Sequence, residues 1–266
     1  MRDLRNIYTD LPDLEKDGKE YNTKYAKERS DEVEYKKTKA KKNSNYWKKF
    51  KPSFNEYTKS KCPICEGRVN KYDDIEHYRP KEHYWWLAYD FYNYYNCCAL
   101  CNRDYKLISF PLFDESKKVD FATKANITDE EPLLFNPLKD NPLELFQLEF
   151  LKISPRGYYP DLRIIPNDKL DQNSYEYAKA VKTIKVLNLN NENPKKGKSD
   201  SARLATLYEF AHTLWDFKIK IGEWKEEADP EKKAVKLQRI KESRDKSGLF
   251  LCEFVIRNLY TVLPSI

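Results

Sequence analysis

Two Cys-x-x-Cys pairs, Cys62/Cys65 and Cys98/Cys101, constrain this chain more than any other feature. Each pair can place two thiolates on one tight turn, and two such turns can close around a single tetrahedral ion. The spacing is that of a metal site rather than of a secreted disulfide ladder. Thiolates select zinc by their softness, and four of them leave no position for substrate, so the zinc would be structural. Cys97 is an alternative to Cys98, but its spacing to Cys101 is Cys-x-x-x-Cys. Gly67, closing Cys62-Pro63-Ile64-Cys65-Glu66-Gly67, is expected to adopt the backbone angles that end the first turn. Between Cys65 and Cys98 lie 32 residues, against about 15–20 in a simple zinc ribbon. A longer insertion implies that something else is built between the knuckles.

That insertion holds Asp73-Asp74-Ile75-Glu76-His77-Tyr78-Arg79-Pro80-Lys81, and Asn102 directly follows Cys101. Glu76, His77 and Asn102 are groups that can bind a hard metal and activate a water beside a phosphate. His77 follows an acid and precedes two cations. An unperturbed imidazole, with a pKa of about 6.5, can accept a proton near neutrality. It must be neutral to do so, which places loss of activity below about pH 6 unless its pKa is shifted. His83 reads as a loop residue and His212 as a helix-surface or core residue.

Net charge is +6, with 40% apolar and 35% charged residues. Charge is concentrated locally: Lys36 to Lys61 contains ten Lys and one acid. Such a stretch suits polyanion binding through counterion release, or else a solvated face. The 20 tyrosines suit half-buried positions, since the ring packs and the hydroxyl stays wet. The start of the chain lacks the apolar run of a signal peptide. Leu249–Ile256 is broken by Glu253 and far too short to span a membrane. A cytoplasmic protein with no membrane association is expected.

Along the chain, residues 1–59 read as a basic, charged N-terminal helical region, poor in aliphatic residues and solvated or partly disordered toward its start. Within it Trp47, Phe50, Phe54 and Tyr57 form a helical stripe, read as packing against the zinc module, with Pro52 marking a break. Residues 60–113 form the cysteine-rich finger. Residues 114–173 are a loop-rich connecting region with short strands at Phe146–Ile153 and Leu162–Ile165. Residues 174–266 read as a C-terminal helical region starting near Ser174, with Asn190–Ser199 as a loop, Asp200 or Ser201 as an N-cap, and Cys252 as a core thiol of a last helix. The aromatic run His83–Tyr95 reads as core, with Trp85 as the candidate to face solvent.

The order C-x-x-C, E-H-x-R-P-K, then N-x-x-x-x-C-x-x-C-N-x-x-x-K, with Phe110-Pro111-Leu112 after it, resembles the ββα-metal or HNH nuclease finger. It is more closely similar to the HNH proteins of Septu-type anti-phage systems, the PtuB family, also found with some retrons. Leu133-Leu134-Phe135-Asn136-Pro137, Asp140-Asn141-Pro142, and Thr183-Ile184 with Leu187 and Leu189-Asn190 resemble further segments of that family. Such patches scatter over about residues 44–215.

The resemblance implies an α+β protein: a zinc-stapled ββα-metal HNH finger embedded in a mainly α-helical chain. It implies that His77 is the general base, that Glu76 and Asn102 ligate a catalytic Mg²⁺ or Mn²⁺, and that Asn93 braces the loop carrying the histidine. Arg79, Lys81 and Lys106 would hold phosphate oxygens. The implied activity is cleavage of nucleic acid, DNA favoured and RNA possible, beside a PtuA-like ATPase of the ABC or SMC type. No G-x-x-x-x-G-K-[ST] loop occurs here, so ATP sensing would belong to that partner. Its docking surface is expected on residues 174–266 or on the basic N-terminal region. A zinc module without catalysis, binding nucleic acid or a protein, is the competing reading.

Overall fold

The computed structural model describes residues 1–40, 46–122, 126–153, 160–192 and 201–247. It is an α+β chain of two compact units, residues 1–145 with 166–188 and residues 146–165 with 189–266. In the first unit, β1 (Asp74–His77) pairs antiparallel with β2 (Tyr94–Cys97), setting Glu76 opposite Tyr95 and His77 opposite Tyr94. A π-wound helix, Leu100–Lys106, follows β2 directly. It carries Cys101, Asn102 and Lys106, so one short element serves three purposes. π-Turns are rare and concentrate at functional sites.

The N-terminal region is not the solvated segment that its composition predicts. Helices α1 (Ile7–Asp10), α2 (Pro12–Lys24), α3 (Ala26–Ser30) and α4 (Glu32–Ala40) precede the finger, and Leu14, Tyr21, Tyr25 and Tyr35 are buried. Aliphatic periodicity is weak because the packing face is built from tyrosine. Tyr21 meets Phe50 and Tyr94, and Tyr25 stacks on Tyr89. Val33, an aliphatic residue of α4, is exposed. Gly18 lets α2 approach closely, because a Cβ there would overlap the Phe91 ring. Asn22 grips the middle of the aromatic run His83–Tyr95, donating to Asp90 Oδ1 at 3.1 Å and accepting from Phe91 N at 2.8 Å. Arg29 holds the other Asp90 oxygen at 2.9 Å.

The Trp47 stripe folds as a 3₁₀ turn, Trp47–Phe50, running into α5 (Lys51–Tyr57), with Pro52 in the first helical turn where its missing N–H is harmless. Lys51 is withdrawn from any polyanion-binding face. It is buried, and its Nζ donates to the carbonyls of Asn70, Lys71 and Asp73, pinning the loop before β1. The aromatic run His83–Tyr95 is mostly core: Tyr84, Tyr89, Phe91, Tyr94 and Tyr95 are buried. Its exposed aromatic is Tyr92 rather than Trp85, which is half-buried against Phe121.

After the short α6 (Pro142–Leu145), β3 (Phe146–Ile153) and β4 (Pro160–Pro166) form a second hairpin, where the sequence predicts strands. α7 (Tyr175–Val186) starts at Ser174, whose Oγ accepts from Tyr177 N at 3.1 Å. The second unit continues with α8 (Ser201–Glu226) and α9 (Pro230–Ser247). Asp200, most of Asn190–Ser199 and the helix expected around Cys252 lie outside the described residues. Among the described residues, no helix is long and apolar enough to cross a membrane.

The downstream patches of the resemblance have a structural account. Thr183 Oγ1 accepts from Phe135 N at 2.9 Å and donates to Leu133 O at 3.3 Å. Asp140 accepts from Asn136 N at 2.7 Å and from the Lys179 ammonium at 2.8 Å. Asn188 Nδ2 donates to Tyr105 OH at 2.8 Å, and Tyr78 OH to Leu134 O at 2.7 Å. These bonds tie α7 to the segment after His77 and to the π-wound helix.

Candidate active site

The first knuckle turns tightly. Glu66 N donates to Cys62 O, Cys62 N to Gly67 O, and Gly67 N to Cys65 Sγ. Within it Glu66 adopts the left-handed conformation, with φ 59°. Cys62, Cys65, Cys98 and Cys101 converge, their sulfurs all within 4.8 Å of one another, and all four are buried. Zinc–sulfur bonds of about 2.3 Å imply sulfur separations of about 3.8 Å around a tetrahedron. Cys65 and Cys98 lie 3.7 Å apart, so the cluster fits zinc. Cys97, on β2, is buried with its sulfur 3.8 Å from that of Cys62, yet it lies outside the four that converge. Burial pushes the Cys62 thiol well up from its ordinary value, so metal loading must expel protons.

Beside this cluster, an open pocket of about 450 Å³ is lined by Glu76, His77, Lys81 and Asn102, with Trp47, Lys48, Asp74 and Arg103 around it. β1 ends at His77, and the chain turns there through Pro80 and Lys81, which also line the pocket.

His77 is buried and held on several sides. Its Nε2 lies 3.0 Å from Ala88 O. A carbonyl only accepts, so Nε2 carries the proton and Nδ1 keeps its lone pair. Tyr94 OH donates to the same carbonyl at 2.5 Å. The rings of Trp47 and Tyr94 meet the imidazole edge-on, with centroids at 4.8 and 5.0 Å. Burial, with Lys81 and Lys106 nearby, pushes the His77 pKa down to about 3. The ring is therefore neutral at pH 6, which is the shifted case that the sequence expectation set apart.

Asn93 joins two segments. Its Oδ1 accepts from Arg79 N at 2.8 Å, and its Nδ2 donates to Arg79 O at 3.0 Å and Leu87 O at 3.2 Å. The stretch just after His77 is thereby locked to the turn that presents Ala88.

Two of the three expected phosphate-binding cations are engaged inside the protein. Arg79 Nε pairs with buried Glu130 at 3.0 Å, and its Nη2 reaches Ile127 O at 3.2 Å. Arg79 does not line the pocket. Lys106 is buried and donates to Glu76 Oε1 at 2.5 Å and to His77 O at 3.0 Å. Burial raises the Glu76 pKa, and the Lys106 ammonium offsets part of that. Lys81 does line the pocket, its ammonium lying 5.4 Å from the centroid of the Trp47 ring.

Trp47, Lys48 and Arg103 are pocket residues that sequence reasoning did not select. For Trp47 the signal was the helical stripe, taken wholly as packing. Arg103 sits one residue past Asn102 and bonds Asp74 Oδ2 at 2.6 Å.

No family model matches the chain, and no solved structure matches it. Among curated proteins, it is similar to the Septu protein PtuB of Bacillus mycoides (strain KBAB4). The two are 32% identical over 148 residues, which covers 46% of this chain and 49% of that protein. The chain thus matches about half the length of this curated relative.

Proposed function

We propose that this pocket is the active site of a metal-dependent HNH endonuclease that hydrolyses phosphodiester bonds, with DNA favoured over RNA. The carrying observation is the convergence of Glu76, His77, Asn102 and Lys81 on one pocket beside the four-thiol cluster. These residue types, in this order, are the ones that the HNH resemblance assigns.

Glu76 and Asn102 offer hard oxygen donors, which suit Mg²⁺ or Mn²⁺ with several retained waters. Held by these two side chains, such an ion would supply positive charge against the negative charge of the phosphoryl group. His77 takes the proton of the attacking water on Nδ1, because Nε2–H is committed to Ala88 O. Burial with Lys81 and Lys106 opposes imidazolium formation, which keeps Nδ1 free to accept a proton but weakens it as a base. Asn93 fixes the backbone beyond His77, which keeps the base in place. Lys81, at the pocket wall, meets the phosphate. Lys106 instead holds Glu76 and the His77 carbonyl.

The similarity to the Septu protein supports a role in anti-phage defence, in complex with a PtuA-like ATPase of the ABC or SMC type that docks on residues 174–266 or on the basic N-terminal region. The engagement of Arg79 and Lys106 inside the protein favours the alternative, a zinc module that binds without cutting. Plasmid and RNA cleavage with Mg²⁺ or Mn²⁺, with the ATPase present, decides between them. Wild type should cut and His77→Ala should not; equal cutting by the variant removes the assignment.

A further inference from the structure

Immediately after Lys106 the chain makes a tight turn, with Ser109 N donating to Lys106 O at 2.8 Å. Leu107 occupies the first central position at φ 50°, ψ −121°. Those angles define a type II′ turn, and that position belongs by preference to glycine. A leucine there is strained, and bulky residues adopt positive φ only where the surroundings impose it. Its amide is anchored, donating to Asn102 O at 2.9 Å. The side chain gains no burial in exchange. Leu107 is 52% exposed and its neighbour Ile108 is 51% exposed. Both line the pocket that holds Glu76, His77 and Asn102.

Two protruding aliphatic side chains at the mouth of a polar pocket are out of keeping with their surroundings. Lys48 is exposed at the same rim, where Arg103 pairs with Asp74 at 2.6 Å and Lys81 lies 3.9 Å from Glu82; with Lys106 on Glu76, these four cations outnumber the three acids. Tyr72, whose carbonyl accepts from Arg103 at 3.1 Å, is 77% exposed. The combination matches a polyanion that also offers apolar surface, namely the base stack of a nucleic acid beneath its phosphates.

We propose that Leu107 and Ile108 form a wedge that enters a base step of duplex DNA, unstacking it so that the adjacent phosphate can reach His77. The proposal rests on the nuclease reading above and adds a positioning element to it. Aliphatic wedges unstack base steps at a modest cost, which wider contact with the duplex repays. The strained turn holds the two side chains outward, so little ordering remains when DNA arrives.

The test uses the full chain carrying His77→Ala, which stops cutting, and short DNA duplexes with 2-aminopurine at single positions. Stacking quenches this base, so a wedge raises its emission at one step or at two adjacent steps. Leu107→Gly and Leu107→Ala/Ile108→Ala should abolish the rise, while affinity falls by less than about tenfold because the basic side chains remain. Leu107→Gly should also raise Tm by roughly 2–4 °C, since glycine relieves the strained turn. A gain in stability with loss of unstacking is not what a merely structural leucine would give. Binding without any rise in emission, or a rise that persists in both variants, overturns the wedge and leaves the nuclease reading standing. Absence of DNA binding by every form, with zinc retained, overturns both.

Discussion

Lys106 Nζ lies 2.5 Å from Glu76 Oε1, and both side chains are buried. The pair crosses from the π-wound helix to β1 and places a resident cation on the carboxylate proposed to hold the catalytic ion. Removing one partner of a buried ion pair leaves an uncompensated charge, at a cost of about 3–5 kcal/mol. Lys106→Met should therefore destabilise the protein by about that much in urea unfolding. Glu76→Gln/Lys106→Met should recover most of the loss. Strictly additive single effects would show that the pair is not coupled.

Zinc content separates Cys97 from the four cysteines that converge. Cys98→Ser should lose the metal and unfold the finger, because ligation and folding are one equilibrium in a closed thiolate site. Cys97→Ser should retain a full equivalent of zinc, as its sulfur lies outside the converging group. Metal analysis after dialysis reads both. Zinc loss from Cys97→Ser would reassign the ligand set.

The two described glycine environments on helices predict opposite outcomes. Gly18 on α2 has no room for a methyl group beside Phe91, so Gly18→Ala should cost about 1–3 kcal/mol despite alanine's better helix propensity. At Gly222 on α8 a Cβ meets nothing within 4 Å, so Gly222→Ala should stabilise by about 0.5–1 kcal/mol. Thermal melts of the two variants compare them directly.

His77 predicts a pH dependence of stability. Its folded pKa, pushed down to about 3, lies below the unfolded value of about 6.5. Between these values the unfolded chain binds more protons, so the contribution of His77 is complete above about pH 6.5 and is lost as pH falls toward 3. Glu76 acts in the opposite sense, because burial raises its folded pKa and protonation then favours the folded form. The difference between wild type and His77→Asn isolates the imidazole. In urea melts with zinc bound and no other divalent ion, the advantage of wild type over the variant should shrink by about 1–2 kcal/mol from pH 7 to 5. An advantage that is flat with pH would mean that the ring is not held neutral.

The site was legible in the sequence where chemistry depends on short-range spacing. Cys62/Cys65, Cys98/Cys101, Glu76-His77 and Asn102 could be selected because neighbouring residues on one turn or strand end must arrive together. The strands Phe146–Ile153 and Pro160–Pro166 were visible for a related reason, since turn residues bound their apolar runs. The helical character of the N-terminal region was legible, but its burial was not, because tyrosine supplies the packing face and carries little of the aliphatic periodicity that marks a buried helix. Trp47 was assigned to packing because a helical stripe does not reveal which end of it meets a cavity.

By itself, then, the sequence determined which side chains are neighbours: soft thiolates at one spacing, and an acid beside an imidazole at another. Only the tertiary structure decided which cations remain at the pocket. Arg79 meets Glu130, 51 residues away, and Lys106 meets Glu76, 30 residues away, while Lys81 stays at the pocket wall. A charge is neutralised by whatever the fold brings within reach, and local spacing carries no record of a partner that distant.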